Sequence, residues 1–218
     1  MSPSTAVTPL VAAVLMDDLD AITSLIKQHG HDVDEGGGGI GRTAACVSAF
    51  KGRRSALRRL HECGADLDRC DDQGHTPAWW ASREGHSDSL AFLRDQGCNL
   101  DAADHWGRTP AIIAVLNNNW ECLAILKEAE VDLNRTDLNG RTPASVATAS
   151  GHTDCLKTLL EAHVDLSVGF GLSGEGSPSA LQVALQSGHT ECADLIRTYT
   201  TPRPKKSAAK RKPARLGK

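Results

Sequence analysis

Glycine-rich turns, cysteines and histidines are the places where this sequence could do chemistry. Two stretches fit the G-x-G-x-x-G spacing of a phosphate-cradling loop: Gly36, Gly38 and Gly41, and Gly169, Gly171 and Gly174. Such a loop works by aiming backbone N–H groups and the start of a helix at a pyrophosphate, so it must follow an apolar strand and open a helix. Neither stretch has that setting, and both read as loops in which glycine supplies positive φ. His61, Cys63 and Cys70 offer thiol and imidazole groups of the kind zinc takes, but their spacing matches no zinc finger. Cys122, Cys155 and Cys192 share one inward column and read as small core residues. No nucleophile stands beside a base, and the acids recur at turns and helix starts, where capping and solvation account for them. The chain is therefore expected to hold no catalytic residue, metal or cofactor, and not to be an enzyme.

The elements that position these residues follow from an internal repeat. Thr43, Thr76, Thr109 and Thr142 stand 33 residues apart, and the same step carries Gly41, Gly74, Gly107 and Gly140, then Leu57, Leu90, Leu123 and Leu156, then Leu60, Leu93, Leu126 and Leu159. A fixed period of this length signals stacked supersecondary units. Within a unit, Thr76-Pro77 is an N-cap followed by proline at the first helical position, and Thr109-Pro110 and Thr142-Pro143 repeat it. Gly52, Gly85, Gly151 and Gly188 suit the end of a short helix. Asp88, Glu121, Asp154 and Glu191 then fall in the first turn of a second helix, where the dipole favours negative charge. Asp71-Asp72-Gln73-Gly74 reads as a tight turn leading into the next unit.

These residues resemble the ankyrin repeat. "DDQGHTPAWWASREGH", "DHWGRTPAIIAVLNNN" and "DLNGRTPASVATASGH" carry the likeness, which extends over nearly all of residues 8–199. It implies an all-α fold, an ankyrin-repeat solenoid of about six helix-turn-helix units with β-hairpin fingers. The units are placed at 9–35 (a capping repeat), 36–68, 69–101, 102–134, 135–167 and 168–200 (a long finger loop and a second cap), after a lead at 1–8 and before a basic tail at 201–218. The sequence departs from the family pattern after Thr-Pro, where leucine is replaced by Ala45, Ala78, Ala111 and Ala144 and histidine by Cys46, Trp79, Ile112 and Ser145. That histidine bonds between repeats in the family, so packing is expected to take over here, with Trp79 filling space that alanine leaves.

The same resemblance implies a function: a protein partner held on a concave face made of finger tips and the exposed side of each first helix. On that register the partner-binding residues are Ile40, Arg42, Phe50, Asp72, Gln73, His75, Arg83, His105, Trp106, Arg108, Leu116, Asn117, Leu138, Asn139 and Arg141. Trp106 is the expected centre, because Trp and Arg dominate binding energy at interfaces and Trp106 lies beside Arg108 and Arg141. The alternative for the apolar members is packing on neighbouring fingers. Three or four repeats can supply the roughly 800 Å² per partner of a standard interface.

Charge divides the chain in two. The net charge is -3, but residues 201–218 hold eight of the 24 basic residues and no acid, leaving 16 against all 27 acids, so residues 1–200 sum to -11. The acidic part is expected to favour partners with basic segments, through encounter rate. Lys205, Lys206, Lys210, Arg211 and Lys212 in the tail resemble a nuclear import signal, and also suit sequence-independent nucleic-acid binding or plain solubilisation. The opening residues lack the basic start of a secretory signal, no stretch reaches the length of a membrane span, and seven cysteines without paired spacing suit a reducing compartment. A monomer in the cytoplasm or nucleus, away from membranes, is the expectation.

Overall fold

Helices come in pairs along the computed structural model, whose described residues are 7–169 and 179–200. In order they are α1 (Pro9–Met16) and α2 (Leu19–Lys27), α3 (Ala44–Phe50) and α4 (Arg54–Glu62), α5 (Pro77–Glu84) and α6 (Ser87–Asp95), α7 (Pro110–Leu116) and α8 (Trp120–Glu128), α9 (Pro143–Ser150) and α10 (Thr153–Glu161), and α11 (Ala180–Gln186) and α12 (Thr190–Thr200). First helices pack on first helices and second on second from one end of the array to the other. The 33-residue step of the sequence is thus the translation from one pair to the next.

Each first helix begins for a local reason. The hydroxyls of Thr43, Thr76, Thr109 and Thr142 accept the backbone N–H three residues on at 3.1, 3.2, 3.3 and 3.2 Å, and Ser179 does the same for α11 at 3.3 Å. Each bond satisfies a donor that the helix itself leaves open. Between the helices of a pair the chain must reverse, and Gly85 and Gly151 do so at φ 77° and 72°. The fourth pair turns on Asn118 instead, at φ 57°, a value asparagine tolerates better than most residues.

Second helices bury the leucine columns. Leu57, Leu60, Leu90, Leu93, Leu123, Leu126, Leu156 and Leu159 are all 0% exposed, each contributing about 1.5–3 kcal/mol of burial. Neighbouring pairs are also stitched by polar side chains that cap the preceding first helix. His86 Nε2 lies 3.1 Å from Phe50 O, His152 Nδ1 2.7 Å from Val115 O, and His189 Nε2 3.0 Å from Ala149 O, while Asn119 Nδ2 donates to Ser82 O and Arg83 O at 2.9 Å.

The fingers are short hairpin turns: among the described residues the only bridge is the antiparallel pair Gly37 and Arg42. Each finger closes over too few residues to form a ladder, with the N–H groups of Asp71, Asp104 and Asp137 donating to the carbonyls of His75, Arg108 and Arg141 at 3.0–3.1 Å. Successive fingers are tied by one bond each, from Asp72 to Ile40, His105 to Gln73 and Leu138 to Trp106. One expectation is corrected here: packing alone does not replace the missing family histidine, because the Cys46 thiol reaches the carbonyls of Arg69 and His75 in the next repeat at 3.5 and 3.6 Å. Trp79 does fill volume, at 2% exposure.

Candidate functional site

Fingers and first helices together make one continuous face. Its rigidity starts from three buried aspartates. Asp104 Oδ1 accepts the backbone N–H groups of Trp106 and Arg108, both at 2.9 Å, and its Oδ2 accepts Arg108 Nε at 2.7 Å. Asp137 repeats the pattern with Asn139 and Arg141. Asp71 does so with Gln73 and His75, and adds Trp80 Nε1 at 3.2 Å. Burial alone would raise the Asp71 carboxyl, but the hydrogen bonds from His75 and Gln73 hold it below its ordinary value. Against the same cost of burial, Arg141 and Asn139 hold Asp137 down.

On this frame sit two aromatic groups. In the first, the His75 ring stacks on Trp79 at 3.7 Å between centroids and faces Trp106 at 6.1 Å, with the Arg108 guanidinium 4.8 Å from the Trp106 ring. In the second, Phe50 meets Trp80 edge-on at 5.3 Å, and Arg42, Arg83 and Lys51 gather over the pair. Cations over aromatic faces gain about 0.5–2 kcal/mol each, according to how far water is excluded.

The residues expected at a partner surface therefore divide. Trp106 and Leu138 are exposed, at 45% and 77%, and lie on successive finger tips. Asp72, Arg83, His105, Asn117 and Asn139 are exposed as well. Ile40, Phe50 and Leu116 are half-buried against the core, as are Arg42, Gln73, Arg108 and Arg141 in their turns. His75 is the correction: it is 6% exposed, sandwiched between tryptophans, and supports the face from beneath. Sequence reading passed over Trp80, which anchors the second aromatic group. Its column reads Val47, Trp80, Ile113 and Val146, an inward-facing series in which one indole stands out.

The buried thiols of the first- and second-helix columns have no reactive setting. Cys46, Cys122 and Cys155 are buried, and burial pushes each up to about 12, far from the thiolate that nucleophilic or metal chemistry needs. Among the described residues no group of three or more His, Cys, Asp or Glu side chains is placed to hold a metal ion. Gly36 is explained by its own turn, since a Cβ there would meet Gly41 O at 2.5 Å. Of the second glycine-rich stretch, Gly171 and Gly174 lie outside the described residues, as do most of the long finger loop and all of the basic tail. No helix among the described residues is long and apolar enough to cross a membrane.

Stacked helix pairs joined by finger turns, each pair packed on its neighbours, define a repeat protein. The model of ankyrin repeats (3 copies) matches residues 10–104 and 91–170, and the chain belongs to the ankyrin-repeat family. Among solved structures, the crystal structure of EF0377, an ankyrin repeat protein, superposes with a TM-score of 0.76 at 21% identity, covering 89% of this chain and 98% of that one. No curated protein matches the chain. Ankyrin repeats are generally protein–protein interaction modules, and proteins built from them are typically non-enzymatic.

Proposed function

We propose that this protein is a monomeric, non-enzymatic adaptor or scaffold that holds a segment of a partner protein on its concave finger face. The observation that carries the reading is Trp106 with Leu138: two large apolar side chains left open to water on adjacent finger tips, beside Arg108, in a face whose other apolar members are half-buried against the core. A half-exposed Trp backed by an arginine is the composition of an interface hot spot. Trp106→Ala is expected to leave the thermal midpoint nearly unchanged and to weaken a partner identified by proximity labelling by about 2 kcal/mol or more, roughly thirtyfold in Kd. Unchanged affinity in a folded Trp106→Ala protein overturns the reading.

A second reading rests on the eight basic residues of 201–218, which lack any acid. It makes the protein a nuclear chromatin- or nucleic-acid-associated factor whose tail binds phosphates while the repeats hold a protein. Double-stranded DNA should then be retarded at low salt, with affinity falling steeply as salt rises, and deletion of 201–218 should abolish the shift. Salt-independent binding, or none, removes this reading. A fluorescent protein fused to 201–218 tests nuclear entry separately, and a diffuse signal speaks against it.

A further inference from the structure

One arginine of the finger face lacks the partner its column provides elsewhere. The residues that close the fingers read Arg42, His75, Arg108 and Arg141, and the positions four residues earlier read Gly38, Asp71, Asp104 and Asp137. In the later repeats the two columns neutralise each other, with Arg108 Nε and Arg141 Nη2 each 2.7 Å from the aspartate of their own turn. The second repeat has glycine in place of that aspartate, Gly38 by register and Gly37 by main-chain pairing. Arg42 has no carboxylate to fold back on.

Its guanidinium instead lies over the Trp80 ring of the next repeat, 3.9 Å from the centroid, and 5.0 Å from that of Phe50. Arg83 approaches the same indole at 5.1 Å, and Lys51 covers Phe50 at 4.8 Å. Among the described residues Arg42 makes no ion pair, and its Nε is buried without an acceptor. Asp71 and Glu84 are the carboxylates that act on it. Both oxygens of Asp71 are already taken, by the N–H groups of Gln73, His75 and Trp80 and by the His75 ring. Glu84 sits 3.5 Å from Arg83. Asp72 leans on Gly41 and, among the described residues, pairs with no cation.

A guanidinium held on an aromatic ring has lost much of its water while keeping its donors, and an acceptor that arrives with a partner regains what desolvation cost. The planar, bidentate match for such a fork is a carboxylate. We propose that Arg42, Lys51 and Arg83, seated on Phe50 and Trp80, form an anion-accepting subsite that receives a carboxylate side chain from an acidic segment of the partner. The subsite rests on the reading that the finger face holds a protein, and it supplies the partner's chemistry. It also reverses the expectation drawn from the acid total of the array: the charge presented on this part of the face is positive, whatever the body carries.

Fluorescein-labelled decapeptides rich in Glu, and the same peptides with Gln for Glu, serve as probes in polarisation titrations of the full chain. The Glu peptides should bind at least tenfold tighter than the Gln peptides, and Arg42→Gln should remove most of that difference, about tenfold, the scale of one charge-assisted contact. Glu84→Gln, which frees Arg83 from its neighbour, should tighten Glu-peptide binding about threefold, a gain no folding defect can imitate. Equal binding of the two peptide sets, or a Glu preference that survives Arg42→Gln, overturns the subsite, as does tighter binding of inorganic phosphate than of the Glu peptides. The identified partner separates this outcome from that of the adaptor reading. Sensitivity to Trp106→Ala without sensitivity to Arg42→Gln leaves the adaptor and removes the subsite, whereas insensitivity to both removes the adaptor reading as well.

Discussion

Trp80→Ala should cost about 3–5 kcal/mol of unfolding free energy, the range for deleting a large aromatic from a packed interior. Trp80 is 1% exposed and is touched from three sides: Phe50 from the preceding repeat at 5.3 Å, His75 at 5.0 Å and Trp79 at 4.9 Å. Deleting it opens a cavity where α5 meets α3 and withdraws the Nε1–H that Asp71 Oδ2 accepts at 3.2 Å. It also removes the surface on which Arg42 and Arg83 rest. Because each repeat contacts only its neighbours, such a wound loosens the coupling between the two sides of the array as well as the site itself. Urea unfolding followed by far-ultraviolet circular dichroism, which does not depend on the deleted chromophore, should show a lower midpoint and a broader transition. Trp106→Ala is the contrast, because the residue is 45% exposed and its indole meets the His75 ring and the Arg108 guanidinium at the surface rather than filling the interior. A Trp80→Ala protein within 1 kcal/mol of wild type would mean that the two indoles have been assigned the wrong roles.

That contrast marks what the amino-acid sequence could reveal. Register, caps and leucine columns are local and periodic, so Thr76, Leu90 and Leu123 announce their places by spacing alone. The face is different, because its residues meet across repeats and the sequence gives position without direction. His75 occupies a finger column with Arg108 and Arg141 and reads as another exposed arm. Only the stacking of Trp79 from its own repeat, with Trp106 beyond, turns it inward. Arg108 and Arg141 look available until Asp104 and Asp137 are seen to hold them. Trp80 does not announce itself because the helix positions that bear on a partner are the exposed ends, such as Arg83, whereas the indole sits one turn earlier on the inward side. Even so, the decisive signal was legible: two aligned columns, Gly, Asp, Asp, Asp and Arg, His, Arg, Arg, show one cation without its acid. Net charge hid it, because a sum over residues 1–200 has no position.

The buried aspartates carry the second large effect, and it depends on pH. Asp71 has 0% of its side chain exposed and accepts from Gln73, from His75 and from Trp80. Asp71→Ala would orphan the indole N–H and two turn amides together, and we expect a loss of about 3 kcal/mol near neutral pH. In the folded protein the Asp71 and Asp137 carboxyls both titrate below their ordinary value of 3.8. A folded value that is depressed contributes stability above the unfolded value and loses it as pH falls through the folded one. Asp34 and Asp101 act in the opposite sense, since burial raises them and their protonation on mild acidification relieves that cost. Stability should therefore hold or rise slightly as pH falls towards about 4 and then collapse below it, as the depressed pair protonates. Thermal midpoints across this range should show Asp71→Ala well below wild type at neutral pH and the gap narrowing towards the acid end, where the wild-type carboxyl loses its charge and keeps only a neutral acceptor. A gap of constant size across the whole range would mean that Asp71 acts by shape and not by charge, and the hydrogen-bonded carboxylate would lose its place as the support of the finger face.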